Sequence, residues 1–280
     1  MATTSTSSRP PLTSVLRDNL STNAVGPVQT LGRTFSLSVT SVITIVTDSL
    51  RGRLKVRETV LQAWYLVSVT ALPAALMAVP FGVIVTLQIG NIISQLGAQS
   101  LLGAGGGFAV IQQAAPLASG FLLGGAGASA IAADLGARTI REEIDAMRVM
   151  GVNPVQRLVV PRVIASVVVA PLLALFIIAI GVLAAFYLAV TQQNVAPGSY
   201  WLSFGAFSTV RDVGLALVKA VIFGFLIAVI GCQRGLEARG GPQGVADAVN
   251  ATVVVSTVAI IGVNLVLTAV YQVFFPLQIG

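Results

Sequence analysis

Three stretches of this chain contain no Asp, Glu, Lys or Arg: Thr59 to Ala133, Val163 to Val210, and Ala248 to the end. Each is longer than the roughly 20 apolar residues that carry a helix across a bilayer. A soluble fold cannot solvate surfaces built from such runs. Charged residues make up 9% of the 280, where a soluble domain has about a quarter. The mean hydropathy is +0.91. Soluble globular and disordered chains are both excluded, and the fold class expected is an all-α polytopic membrane protein.

The runs divide into five spans: about 58–95, 108–135, 163–190, 212–234 and 248–276. The first is too long for one straight crossing and holds Pro73 and Pro80, so a kink or break is expected. A glycine-rich hinge, Gly103 to Gly107, precedes the second, whose latter half is dense in Gly, Ala and Ser, residues that let helices approach closely in lipid. Thr191 to Ser208 reads as a polar, aromatic connection.

Basic residues set the orientation. Seven of the sixteen precede the first span, five lie between the second and third, and Arg234 and Arg239 lie between the fourth and fifth. The opposite side has only Arg211, at a span edge. The positive-inside rule then puts the N-terminus in the cytoplasm and the C-terminus outside, in the plasma (inner) membrane. Residues 1–28 read as a disordered cytoplasmic tail without a signal-peptide core. Residues 29–57 form an interfacial region. There Leu31, Phe35, Val39, Val42, Ile43, Val46 and Leu50 recur at helical spacing and a basic cluster follows, as in a helix lying at the membrane surface; a helix packed on the protein is the alternative.

Several chemistries are excluded. There is no histidine and one cysteine, Cys232, so thiol zinc sites, disulfide frameworks and histidine-based acid–base catalysis are absent. The Gly124-Gly-Ala-Gly stretch lacks the Gly-Lys-Ser/Thr ending of a phosphate loop, and no basic stripe is interleaved with stacking aromatics for nucleic acid. The expectation is a non-enzyme with no metal site and no cofactor of its own.

The loop between the second and third spans is the most informative segment. Thr139 with Glu142 three residues on has the form of a capping box, which predicts a helix over 139–150. Glu142, Glu143 and Asp145 sit early, where the positive helix end favours acids, and Ile140, Ile144 and Met147 form an apolar stripe. Gly151 and Pro154 stop the helix. The residues leave open a connector lying on the membrane or a helix that docks a cytoplasmic partner.

The stretch from Ala133-Asp-Leu-Gly-Ala-Arg-Thr-Ile-Arg-Glu-Glu-Ile-Asp-Ala-Met-Arg to Val159-Val-Pro-Arg resembles the MlaE or YrbE permease family, the membrane subunits of ABC-type lipid transporters that work with Mce proteins. The likeness continues through Gly231-Cys-Gln-Arg-Gly-Leu-Glu-Ala-Arg-Gly-Gly-Pro and Ala248-Val-Asn-Ala-Thr-Val-Val, and covers roughly Leu31 to the C-terminus; the wording is most like the actinobacterial A-type YrbE subunit. The resemblance implies a sister B-type permease, a cytoplasmic ATPase dimer that uses ATP and Mg, Mce proteins on the outer side, and membrane lipid as cargo. Fatty acids, mycolic-type lipids and sterols all suit an apolar cavity, and the actinobacterial family suggests import. It makes the loop helix a coupling helix, with Thr139, Arg141, Glu142, Glu143, Asp145, Ala146 and Arg148 facing the ATPase. It places a lipid pathway near Val85, Gln88, Ile92 and Ile93. The family also has a lysine at Lys219. Proteobacterial relatives carry an Asp at Asn264 and an Arg-Glu pair at Gln112-Gln113, so the partner of Lys219 stays open between the sister subunit, Asn264, a glutamine and a lipid headgroup. The alternative function is a stand-alone secondary transporter or channel for a hydrophobic substrate, although neither internal repeats nor several intramembrane ionisable residues are evident.

Overall fold

The computed structural model describes residues 26–50 and 55–274, with side chains from residue 32 on. The N-terminal tail, Arg51, Arg53 and the last residues of the predicted fifth span lie outside the described residues. Among the described residues the fold is all helical. Five helical runs are long and apolar enough to cross a membrane: Val56–Gln95, Gln99–Ile140, Val155–Gln192, Val210–Leu236 and Pro242–Phe274. Each run overlaps one of the five expected spans and begins earlier than the start drawn from the sequence.

An N-terminal helix, α1 (Gly26–Leu50), precedes the spans. Ser41 and Asp48 are buried, while Phe35, Val39, Val42, Ile43, Val46 and Leu50 are exposed. Asp48 accepts from Gln156 Nε2 at 2.9 and 2.8 Å, and Arg33 pairs with Glu237 at 3.1 Å. Its exposed side carries a row of large apolar residues beside Ser36, Thr40 and Thr47, while Leu37 and Ile45 pack inward, an arrangement that suits the edge of a bilayer.

The first span is one helix, α2 (Val56–Gln95), which runs through Pro73 and Pro80 without interruption. At 1.5 Å per residue it is about 60 Å long, twice the hydrocarbon thickness of roughly 30 Å. Its buried residues fall every fourth position: Leu66, Thr70, Ala74, Ala78, Gly82, Thr86 and Gly90. This small-residue stripe packs on the long helix of the third span, α7 (Val160–Gln192). A Cβ at Gly82 would fall inside the carbonyl of Gly181, so only glycine allows the two backbones to meet there.

The second span is composite. A short 3₁₀ turn (Gln99–Leu101) leads into α3 (Leu102–Ala109), α4 (Ala115–Leu122) and α5 (Ala128–Ile140), separated by π-helical turns at Val110–Ala114 and Leu123–Gly127. The predicted glycine hinge, Gly103 to Gly107, is helical. Its glycines serve contact instead: a Cβ at Gly103 would collide with the Tyr200 carbonyl, and one at Gly107 with the Phe204 ring. Those partners belong to α8 (Pro197–Phe207), a helix inside the stretch expected to be a plain connection. A third π-turn, Val155–Val159, opens the third span. The fourth and fifth spans are α9 (Val210–Leu236) and α10 (Pro242–Phe274). The core lies where α2, α4, α7, α9 and α10 meet, around Phe223, Leu173, Ile177 and Ile260.

Candidate transport pathway and coupling site

The structure divides the scarce charges between the two ends of the bundle and one cluster within it. At one end the loop after α5 forms a short helix, α6 (Glu143–Val149). It starts later than predicted. Thr139 does not cap it; it belongs to α5, where its hydroxyl donates to the Leu135 carbonyl at 2.8 Å and to the Gly235 carbonyl of α9 at 3.2 Å. The break comes at Glu142, whose φ of 59° lies in the left-handed region. That single turn of backbone redirects the chain, so Glu143 and Asp145 still fall in the first helical turn.

Ile144 is 3% exposed and packs with Leu135, Leu158 and Val159, so it roots the helix in the bundle; Met147 is half-buried beside it. Arg141, Glu142, Asp145, Ala146 and Arg148 face outward. Glu143 pairs with Arg141 at 3.0 Å, and Asp145 with Arg148 at 2.9 Å. Glu142 makes no ion pair among the described residues. Val149 and Met150, which sequence reasoning passed over, are 89% and 69% exposed at the tip. A rigid mount ties this end together. Asp134 accepts from Arg138 Nε at 3.1 Å and pairs with Arg162, a buried residue that also donates to the Leu158 carbonyl at 2.6 Å. Arg162 was expected in the loop; its length lets the charge reach the edge of the bundle from within the third span.

Within the bundle a second cluster uses the π-turn at Val110–Ala114. A π-turn displaces backbone hydrogen bonds by one residue and leaves a carbonyl available. Lys219 of α9, with no exposure, donates to the Gln112 carbonyl at 3.1 Å and to Thr268 Oγ1 at 2.9 Å. The neighbouring Gln113 accepts from Asn264 Nδ2 at 3.2 Å. The four intramembrane polar residues singled out by sequence therefore lie together. Lys219 meets a glutamine through its backbone rather than its amide, and Thr268 rather than Asn264.

The Gln112 side chain turns the other way and donates to Asp212 at 2.6 Å. Asp212 also accepts from the Thr209 amide and hydroxyl, completing a capping box on α9, and from the Tyr271 hydroxyl. This cluster opens into a cavity of about 780 Å³ at the end away from α6. Its wall is mostly apolar and aromatic, including Ile93, Phe108, Phe207 and Phe274, with Arg211 and Asp212 as its charges. The volume and lining suit a hydrophobic small molecule. Of the four pathway residues expected on the first span, Ile93 alone lines this cavity. Gln88 and Ile92 are exposed on the outer face of α2 and Val85 is half-buried, because that helix commits its every-fourth-residue stripe to α7.

The family model "Permease MlaE" matches residues 59–270, nearly all of the five-span bundle. The chain belongs to the MlaE permease family. A Synechocystis protein described as a probable ABC transporter permease is 30% identical over 212 residues, covering 75% of this chain and 80% of that one. A Rickettsia bellii protein of the same description is 27% identical over 244 residues, 87% of this chain and 92% of its own. The intermembrane phospholipid transport system permease protein MlaE of Haemophilus influenzae is 26% identical over 190 residues, 68% and 73% of the two chains. As an MlaE-family member this chain is a multi-pass membrane permease, and its family match spans both clusters: Thr139 to Arg148 on the exposed loop, and Gln112, Gln113, Lys219 and Asn264 inside.

Proposed function

We propose that this permease is one membrane subunit of an ABC-type, Mce-associated lipid transporter, coupled to a cytoplasmic ATPase and paired with a second permease, most simply a B-type YrbE sister. One observation carries the reading: α6 is held rigidly at its root and unpartnered at its tip. Ile144 and the Asp134–Arg162 pair fix it to three spans, while Val149, Met150 and Glu142 stand in solvent. A small apolar knob ringed by charges is what a partner groove can seat, and a rigid mount transmits a partner's closure into the bundle. The ATP and Mg belong to that partner. The positive-inside count puts α6 in the cytoplasm, and the 780 Å³ cavity then opens outward, where Mce proteins would deliver or receive lipid. Its apolar wall suits acyl chains or a sterol. A stand-alone carrier would have no use for an exposed, braced loop helix.

The test is co-purification. With the cognate ATPase co-expressed, the wild-type chain should carry it through affinity purification, and the Glu142→Lys, Asp145→Lys double variant should lose it. Unchanged assembly together with unchanged ATP turnover would overturn the coupling role.

A further inference from the structure

At the end of the bundle that carries α1 and α6, three basic side chains converge on one shallow cavity. Lys55 and Arg57 come from the start of α2, and Arg157 from the π-turn that opens the third span; Val56, Glu58 and Leu61 complete the lining of about 520 Å³. None of the three cations makes an ion pair or a side-chain hydrogen bond among the described residues. Nearby acids offset them only in part. Asp48 is buried and accepts from Gln156, Glu58 makes no ion pair among the described residues, and three cations face these two acids. Burial, and after it the charge of Arg157, hold the Lys55 ammonium below the ordinary lysine value against the opposing pull of Glu58 and Asp48.

The backbone adds to the field. Lys55 caps α2 with no side-chain hydrogen bond, so the first amides of a 40-residue helix lie beside the same cavity. Free amides and the helix dipole both favour an anion there. The apolar side of the site identifies what carries that anion. Val56, Val60, Leu61, Trp64 and Tyr65, within the next turns of α2, are all exposed, and so is the row of large apolar residues on α1. A soluble anion would leave those surfaces bare; an amphiphile covers them with its chains. From this geometry we infer a binding site for the phosphate headgroup of an anionic membrane phospholipid, held by Lys55, Arg57, Arg157 and the N-terminus of α2, with its acyl chains along α2 towards Trp64. The site is separate from the transport cavity at the other end and does not depend on the transport reading. A lipid held there joins the first span to the third.

Trp64 makes the site measurable. In the full chain with Trp201→Phe, Trp64 is the remaining tryptophan, and its quenching by brominated-chain lipids reads the lipid beside α2. In bilayers that mix brominated phosphatidylglycerol with phosphatidylcholine, the protein should prefer phosphatidylglycerol by about ten-fold or more, since each basic residue near a membrane surface contributes roughly a five-fold factor. Replacing Lys55, Arg57 and Arg157 together with Gln should bring the preference close to unity. Arg157→Gln alone, an exposed change that leaves α2 intact, should lower it roughly five-fold and decides the matter if the triple variant fails to fold. No preference in the wild type, or a preference that survives Arg157→Gln, would overturn the site. Loss of the preference on adding millimolar glycerol phosphate would assign it to a soluble phosphate and overturn the lipid.

Discussion

The polar residues of α6 and those around Lys219 use the same scarce chemistry to opposite ends. On α6 the acids and arginines are exposed, bond only to neighbours a few residues away, and leave Glu142 and the tip residues Val149 and Met150 uncommitted. Around Lys219 the polar groups are buried and bond across the bundle, between residues about 50 to 150 positions apart. Exposed pairs of the first kind contribute little to stability and are free to re-pair with a partner. Buried ones of the second kind fix how the second, fourth and fifth spans fit, with Asn264 Oδ1 left without a partner among the described residues and Gln112 and Asp212 at the cavity wall. Uncommitted charge is what the proposed docking surface offers, and committed charge holds the spans together.

This contrast can be broken by substitution. The largest loss should come from the scaffold's closest approach: Gly82→Leu forces α2 from α7 and should cost about 3 kcal/mol, read as a fall in the melting temperature of the detergent-solubilised protein. Lys219→Met removes both cross-bundle hydrogen bonds and leaves the Gln112 carbonyl without its donor; a loss of about 1–2 kcal/mol is expected in the same measurement. If that variant melts with the wild type, the cluster is not a structural brace and a substrate role for Lys219 gains ground. Glu142→Gly should act in the opposite direction. It relieves a left-handed residue and should raise stability by up to about 1 kcal/mol while removing the acid that faces a partner, so a chain that is stabilised yet assembles poorly would separate docking from folding. The smallest effect on stability belongs to the Glu142→Lys, Asp145→Lys variant: its melting temperature should match the wild type, although binding of the proposed ATPase should be lost.

The five spans were legible because charge is excluded from lipid and the charge-free runs mark where lipid lies. Their ends were not. Arg162 is drawn inside the third span by Asp134, a partner 28 residues away, and no local signal announces that pairing. The π-turns that set Gln112 against Lys219 depend on tertiary contacts and carry no pattern of their own. Thr139 and Glu142 had the spacing of a capping box, but Thr139 bonds to α9 instead, and a long-range contact decides where the helix breaks. Two signals were present and passed over: the capping-box pattern of Thr209 and Asp212, and the every-fourth-residue run of small residues from Thr70 to Gly90. The loop helix itself was readable because its early acids, its apolar stripe and the Gly151 stop are local. Its exposed tip was not, since the apolar pattern of Val149 and Met150 looks the same whether it faces the bundle or a partner.

The proposed function has lipid passing through this bundle under the control of an ATPase seated on α6. Its most direct test is lipid transfer by the assembled transporter in proteoliposomes, followed with a fluorescent lipid with and without hydrolysable ATP. The account predicts transfer that requires ATP in the wild type and is lost with Glu142→Lys and Asp145→Lys, although the permease itself remains folded. Transfer at the same rate without ATP, or unaffected by those two substitutions, would contradict it.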